Sequence, residues 1–347
     1  VASFSSDLTT LLWSTYLGGS SGDAGYSIRT NNNMVAVCGG TLSSNIGATP
    51  GTIHSTRPGG VDGYVATFDK SNGFLNALTY LGTSAYDQAY ILEIDNNDIY
   101  VAGQTKGNYP VSASVYSNNN GSQFIHKINN TLTVTDFSTV FGSGSSTVNI
   151  SLTAFLVDYC GNIYVAGWGG SGNNEGSTNN MPITANAIQS NTDGNDFYFI
   201  TLEADAQSLL YGSYFGGTGG YGEHVDGGTS RFNKQGIIYQ AVCAGCSGGS
   251  FPTSPAVFSS TNGSGNCNYG AIKIDFDAED APNLTGIDTL GLVGSPGVPI
   301  DFYFCANGSS VMTFDINALT SPPGGTNNIT MSASGLPTTA AFTITNN

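Results

Sequence analysis

A short apolar run that follows a polar turn recurs four times in the first 277 residues. The clearest copies lie at 163–167 and 99–103, where both read Ile-Tyr-Val-Ala-Gly, and weaker copies lie at 35–39 and 238–242. A turn that leads into a Tyr- and Val-rich run is typical of a hairpin entering a β-strand. Copies at a regular interval predict a repeat architecture.

Three further runs recur in register with this strand. One ends in Gly and lies at 15–19, 79–82, 139–142 and 213–217; an aromatic-rich alternating run begins near 62, 123, 196 and 269. Each unit also has an alternating run before its turn, such as 89–95. Helical periodicity is not sustained in this part of the chain. We therefore predict four strands in each unit.

Four-stranded units of this kind predict an all-β fold, a β-propeller of four four-stranded blades. Residues 11–17 belong to the last strand type of a unit, whereas 269–276 belong to the third type with no fourth strand after them. We expect the N-terminal strand to complete the final blade and close the ring. The competing interpretation is a larger ring whose other blades lie outside this sequence.

Together, the motifs S-T-Y-L-G-G, G-N-I-Y-V-A-G and D-x-[FY]-[VF]-x-x-[LF]-[DE] resemble the SBBP β-propeller repeat over residues 13–277. The fourth copy departs most, because Gln240 and Val242 replace Val and Gly. The resemblance implies a secreted or surface protein of bacteria, often a large protein that Bacteroidota export by type IX secretion. It implies no catalytic residues.

The repeat stops at an acidic segment before Pro282. We therefore predict a propeller over 1–280 and a small β-sandwich-like module over 281–347. The second segment is similar to bacterial immunoglobulin-like modules, with strands expected at 300–304 and 341–345. Such a module is short for a seven-stranded sandwich. It is either truncated or completed by residues beyond Asn347.

Charge and composition limit the classes of molecule that this chain could bind. The chain has 24 acidic and 8 basic residues, so its formal net charge is -16. Such a surface repels nucleic acid and anionic membranes, and no apolar run of about 18 residues is present to insert into a bilayer. Few charges with many aromatics and 48 glycines fit an extracellular or cell-surface β-protein.

Cysteines suggest the first candidate site. Cys243 and Cys246 flank two residues, and Cys267 follows in the same unit. We expect a disulfide from Cys267 to Cys243 or Cys246, because an exported protein favours disulfides over metal. The alternative is a zinc site with these three ligands; its fourth ligand is not obvious, and His224 is the nearest histidine.

Two more candidates lie in the third unit. Asp193, Asn195 and Asp196 provide closely spaced oxygen ligands for Ca²⁺, although Asp and Asn also form ordinary turns. Trp168 lies beside a Gly- and Asn-rich loop and is a candidate for stacking on a sugar ring, against the alternative of packing between blades. Apart from calcium, we expect no cofactor.

Catalytic motifs are weak in this sequence. The G-x-G-x-x-G strings at 167–172 and 217–222 do not open a helix, so they predict Gly-rich loops rather than dinucleotide binding. We expect a non-catalytic structural or adhesive module of a larger exported bacterial surface protein. Its partners would be other domains of that protein, other surface proteins or polysaccharide. The alternative is a carbohydrate-binding or carbohydrate-active enzyme module.

Overall fold

Antiparallel β-strands make up nearly all of the regular structure in the computed structural model of this chain. The structure describes residues 1–145, 147–170, 176–225, 230–233, 236–276, 283–287 and 300–303. The chain divides into two compact units, Val1–Asp275 and Phe276–Asn347. The all-β class predicted from the sequence is confirmed.

The larger unit contains three four-stranded sheets and one three-stranded sheet, each with its strands paired in chain order. The first sheet consists of β3 (Asp23–Thr30), β4 (Met34–Thr41), β5 (Asp62–Asp69) and β6 (Leu75–Leu81). The second consists of β7 (Asp87–Asp95), β8 (Asp98–Thr105), β9 (Gln123–Ile128) and β10 (Thr135–Phe141). The third consists of β11 (Ser151–Val157), β12 (Ile163–Trp168), β13 (Phe197–Leu202) and β14 (Leu209–Phe215). The fourth consists of β15 (Ser230–Phe232), β16 (Ile237–Ala244) and β17 (Asn268–Asp275).

The repeated sequence runs occupy equivalent strands in the sheets, apart from the N-terminal copy at 15–19, which lies outside the four sheets. The Ile-Tyr-Val-Ala-Gly run forms the second strand, the aromatic-rich run forms the third, and the run that ends in Gly forms the fourth. Four strands per unit are therefore present in the first three sheets. Among the described residues, the fourth sheet has three strands.

The glycine that ends the second-strand motif is required by a β-bulge on the neighbouring first strand. Register shifts occur in β3, β7 and β11 opposite the ends of β4, β8 and β12. At the second of these, a Cβ on Gly103 would collide with the Gln88 carbonyl oxygen and the Phe124 ring. The missing side chain lets the bulged strand approach closely.

We predict that Gly103→Ala lowers the free energy of unfolding by about 2–3 kcal/mol, because the added methyl group overpacks the bulge. Gly263→Ala is the matched control, since a Cβ there meets nothing within 4 Å. Urea unfolding of both variants measures the effect. Equal stability of the two variants would contradict the bulge explanation.

Successive sheets pack through their first strands and share apolar cores. β7 contacts β3 and β4 of the first sheet, β11 contacts β7 and β8, and β15 contacts β11. Between the first two sheets, Tyr26 stacks on Tyr90 with ring centroids 5.0 Å apart, and Arg29 pairs with Glu93 at 2.7 Å. One core joins the first and second sheets and another joins the second and third.

The N-terminal strand does not close a ring, so that part of the propeller prediction is wrong. β2 (Leu11–Ser14) pairs with β1 (Ala2–Phe4) in a hairpin instead of with β17. The hairpin lies against the first sheet, where the Trp13 indole Nε1 donates a hydrogen bond of 2.9 Å to the Lys70 carbonyl. Trp13 and Leu17 extend the core of that sheet. No closed propeller is found within the described part of the chain.

The burial of residues along the strands agrees with an array of sheets that does not close into a ring. In the third strands β5, β9 and β13, nearly every residue is buried, so both faces are covered. In β17, buried and exposed residues alternate, so one face of the fourth sheet is open. Tyr16 is fully exposed, whereas its counterparts Tyr80 and Tyr214 are buried in the fourth strands.

Substitutions at the hairpin distinguish this capping role from ring closure. We predict that Trp13→Ala lowers the free energy of unfolding by about 2 kcal/mol, and that Trp13→Phe costs about 1 kcal/mol through the lost hydrogen bond. Tyr16→Ala should change it by less than about 0.5 kcal/mol, since this side chain is exposed. Thermal and urea unfolding provide the measurement. A large loss of stability in Tyr16→Ala would indicate instead that residues 11–17 form a strand within one of the sheets.

In the second unit, β18 (Asn283–Ile287) pairs antiparallel with β19 (Ile300–Tyr303). The latter strand is the one predicted at 300–304. The predicted strand at 341–345 and most of the immunoglobulin-like module over 281–347 lie outside the described residues.

Candidate functional site

The residues that the sequence singled out gather where the third sheet meets the fourth. Trp168 ends β12, Asp196 directly precedes β13, and Cys243 lies near the end of β16. The loop after β14 and its isolated bridge at His224 bring further polar groups to the same junction. We describe this region as the candidate site.

His224 is at the centre of the candidate site. Its backbone pairs with that of Cys243, with N–O distances of 3.0 and 3.3 Å. The Trp168 and His224 ring centroids are 5.6 Å apart, and the rings are tilted by 49°. His224 Nδ1 lies 4.0 Å from Cys246 Sγ. One edge of the half-buried Trp168 is thus engaged with protein, and sugar stacking by this ring stays a prediction.

One disulfide is formed at this site. Of the two pairings that the sequence left open, the structure contains Cys246–Cys267, which joins the short 3-10 helix Cys246–Gly248 to the loop before β17. Cys243 is outside that bond. The Nδ1 or Nε2 atom of His224 and the sulfurs of Cys243 and Cys267 lie within 4.8 Å of one another.

The predicted calcium loop is ordered by hydrogen bonds of its own. Asp193 Oδ1 accepts from the Asn195 backbone N–H at 3.0 Å and from its side-chain amide at 3.2 Å. Asp193 Oδ2 accepts from the Gly219 N–H at 2.8 Å. Calcium at Asp193, Asn195 and Asp196 stays a prediction, and binding would require Asp193 to exchange these bonds.

Asp196 instead faces a second buried carboxylate. Its side chain and that of Glu223 occupy the space in which a Cβ on Gly216 would lie. Glu223 Oε2 accepts from the Gly217 N–H at 3.1 Å. Neither Asp196 oxygen makes a hydrogen bond of good geometry, although both are buried. Two acids therefore meet inside the protein without enough donors.

The equivalent position is filled by a polar pair at every junction. Between the first two sheets, Asp62 Oδ1 lies 2.5 Å and Asp87 Oδ2 3.1 Å from the position of a Cβ on Gly82. Both side chains are buried, and Oδ1 of each has no hydrogen-bond partner. The Asp62–Asp87 and Asp196–Glu223 pairs thus share one structure.

The middle junction has amides in place of the acids. Gln123 and Asn149 lie beside Gly142 in the same arrangement. In the orientation that satisfies its amide, Gln123 donates to the Phe141 carbonyl and accepts from the Asn149 N–H. These neutral amides find hydrogen-bond partners in the surrounding backbone and serines, such as Ser143 and Ser177 for Asn149. Two carboxylates lack the donor groups of an amide and repel each other unless they take up a proton or a cation.

Burial raises the pKa of three of these carboxyl groups, and a neighbouring charge contributes to each shift. Burial is the main cause that raises the pKa of Asp196 to about 6, and the Asp193 charge contributes. The Thr192 hydroxyl lies near enough to lower this pKa in part, without forming a well-aligned hydrogen bond. Burial also raises the pKa of Glu223 to about 7 and, with a contribution from the Asp87 charge, the pKa of Asp62 to about 6.

Sequence reasoning missed these pairs. It named Asp196 only as a candidate calcium ligand and did not single out Glu223, Asp62 or Asp87. The sequence did contain a signal for these pairs: a polar residue follows each run that ends in Gly by a few positions. These residues are Asp23, Asp87, Asn149 and Glu223. In the first sheet, Asp23 accepts from the Gly19 amide and the Thr41 and Ser43 hydroxyls, which lower its pKa against the opposing effect of burial.

Another histidine has a structural role. His126 is buried in β9, with Nδ1 2.9 Å from the Tyr109 hydroxyl and Nε2 2.8 Å from the Thr135 hydroxyl. Burial lowers its pKa to about 3. This neutral imidazole is therefore a hydrogen-bonded core residue, remote from His224 in the fold.

We predict that the protein loses stability as the pH rises from about 4 to about 7. Acids whose pKa is raised by folding bind protons more tightly in the native state, so their contribution is complete below the unfolded pKa and is lost through the folded pKa. The loss should be on the order of 2–3 kcal/mol for each of the three raised groups, Asp62, Asp196 and Glu223, and less where Asp196 and Glu223 share a proton. Urea unfolding across this pH range measures the slope.

A double variant, Asp196→Asn with Glu223→Gln, places amides at this junction and should reduce that slope by more than half, because it removes two of the three raised carboxyl groups. Asn149→Asp is the converse control and should steepen it, since it places a carboxyl group at the middle junction. Unchanged slopes in both variants would show that the pairs do not titrate in this range.

Comparisons with protein-family models and with curated proteins gave no match. Membership of the SBBP family therefore stays a prediction from the repeat motifs. No helix among the described residues is long and apolar enough to cross a membrane.

Proposed function

We propose that this chain is a non-catalytic structural or adhesive module of a larger exported protein at a bacterial cell surface. Its proposed partners are other domains of that protein or other surface proteins. The observation that carries the proposal is the open face of the fourth sheet, which offers a contact surface where the other sheets are covered.

The contact surface is formed by one side of β16 and β17. Tyr239 lies opposite Lys273 and Cys243 lies opposite Tyr269 in the antiparallel register. Tyr239, Tyr269 and Lys273 are exposed, while alternate residues such as Ile272 and Ile274 are buried. Exposed aromatic residues beside a charge are typical of surfaces that bind other proteins.

Two features support the extracellular part of the proposal. The repeat motifs resemble those of exported bacterial proteins, and the Cys246–Cys267 disulfide is compatible with an oxidising compartment. The acidic net charge of -16 argues against nucleic acid as the partner.

The second candidate function is carbohydrate binding at the junction of the third and fourth sheets. Trp168 is half-buried there, and the exposed Tyr221 and Asp193 lie on the loops that meet beside it. Aromatic rings next to polar loop groups are the usual elements of a sugar site. Carbohydrate-active chemistry would need a pair of acids open to substrate, whereas Asp196 and Glu223 are buried.

Association measurements test the contact surface. We expect the purified full chain to self-associate weakly or to bind neighbouring modules of its parent protein through the fourth sheet. Tyr239→Lys with Tyr269→Lys should abolish this association. Phe74→Lys is the matched control, because Phe74 is 74% exposed and Tyr269 is 76% exposed. Sedimentation velocity over a concentration series, with and without the neighbouring modules, provides the measurement.

A polysaccharide panel, with calcium or with EDTA, distinguishes the alternative. Carbohydrate binding would be supported if the wild-type chain binds a polysaccharide and Trp168→Ala does not, while the thermal melt of the variant is unchanged. Release of sugars would contradict the non-catalytic proposal. A full chain whose association is absent or unaffected by the tyrosine substitutions would contradict the contact surface.

A further inference from the structure

We propose that His224, Cys243, Cys246 and Cys267 form a zinc site when the Cys246–Cys267 disulfide is reduced. This proposal goes beyond the structural role and does not depend on it. The sequence offered three cysteine ligands without an evident fourth. The fold supplies the fourth by bringing His224, from the loop between the third and fourth sheets, to the end of β16.

The four donor atoms already lie near one another. The ligand atoms of His224, Cys243 and Cys267 are within 4.8 Å of each other, and Cys246 Sγ is 4.0 Å from His224 Nδ1 and bonded to Cys267. In a tetrahedral site with Zn–S distances of about 2.3 Å, ligand atoms are about 3.5–3.8 Å apart. His224, Cys243 and Cys267 therefore need to approach one another by about 1 Å, and the Cys246 and Cys267 sulfurs separate once their bond is reduced.

The structure also provides room for that movement and support for the ligands. His224, Cys243 and Cys267 are half-buried, so a metal ion can reach them, and Cys246 is buried beneath. The backbone bridge between His224 and Cys243 fixes two ligands relative to one another. Gly245 has a left-handed φ of 61°, which turns the chain sharply between Cys243 and Cys246.

Three sulfurs and one imidazole select the metal. Zn²⁺ prefers thiolate and imidazole ligands, whereas Ca²⁺ and Mg²⁺ require oxygen. The nearest carboxylate in sequence, Glu223, is turned towards Asp196 and Gly217 instead. The site is therefore distinct from the predicted calcium loop.

The disulfide and the metal site exclude one another, because both use the sulfurs of Cys246 and Cys267. A dithiol reductant transfers two electrons and two protons to the disulfide, which gives two thiols and the oxidised dithiol. Zn²⁺ then binds three thiolates and the neutral imidazole, and three thiol protons are released to water. In the oxidised protein the disulfide links the two loops, and in the reduced protein the bound Zn²⁺ links the same loops.

Cobalt provides a direct readout of this coordination. The full chain is reduced with a dithiol, freed of metal and titrated anaerobically with Co²⁺. We expect one Co²⁺ per chain, with the visible d–d bands and near-ultraviolet thiolate charge-transfer band of a tetrahedral sulfur-rich site, and displacement by one Zn²⁺. The oxidised chain should show no such bands.

Variants assign the ligands. Cys243→Ser and His224→Ala should each weaken Zn²⁺ binding by at least tenfold and change the Co²⁺ bands, consistent with loss of a ligand. Cys38→Ala is the matched control, because Cys38 is a buried thiol in β4 of the first sheet and should leave binding unchanged. Zn²⁺ should also protect Cys243 and Cys246, but not Cys38, from alkylation of the reduced chain under mild denaturant.

Circular dichroism and thermal melts, with and without Zn²⁺, accompany each measurement. Zn²⁺ should raise the melting temperature of the reduced wild type and of Cys38→Ala only. Unchanged binding in Cys243→Ser or His224→Ala would overturn the proposed ligand set. A reduced wild type that neither develops the Co²⁺ bands nor gains thermal stability with Zn²⁺, whether folded or unfolded beforehand, would overturn the site itself.

Discussion

The structure depends on covering both apolar faces of each repeated sheet. A four-stranded sheet rich in Val, Ile, Tyr and Phe cannot leave either face in water without losing the burial that stabilises it. The second and third sheets lie between neighbours, and their third strands β9 and β13 are almost entirely buried. The ends of the array need another solution. At one end a hairpin built around Trp13 covers the first sheet, and at the other end one face of the fourth sheet stays exposed, the face that we propose binds partners.

A second constraint acts where consecutive sheets meet. The glycine that ends each fourth strand makes space, and two polar side chains from adjacent units fill it. Gln123 and Asn149 are neutral amides with hydrogen-bond partners around them, while Asp62–Asp87 and Asp196–Glu223 bring like charges together. The same position thus either fixes a junction independently of pH or makes its stability depend on protons, according to whether the side chains are amides or acids.

Chemical variety is concentrated in the fourth unit, on loops that the repeat does not constrain. His224, Cys243 and the Cys246–Cys267 disulfide lie next to Trp168 of the preceding sheet. The scaffold therefore provides rigid strand ends, and the loops bring soft ligands and aromatic rings together on them. This division fits a structural module that holds one specialised junction, with the contact surface of β16 and β17 beside it.

The sequence by itself determined the strands, their order within each sheet and the four-unit repeat, because alternation and turn residues act locally. It also limited the disulfide to two pairings that include Cys267. Tertiary structure decided how the ends are covered. β1 lies a few residues from β2, so the two strands pair at little cost in chain entropy. Trp13 then donates its hydrogen bond to the Lys70 carbonyl, and β2 pairs with β1 instead of with β17. It also decided that His224 meets the cysteines, because a backbone bridge joins two segments of the fourth unit that are distant in sequence. Asp196 meets Glu223 because these two residues come from different units, and only the packing of one sheet on the next brings them together.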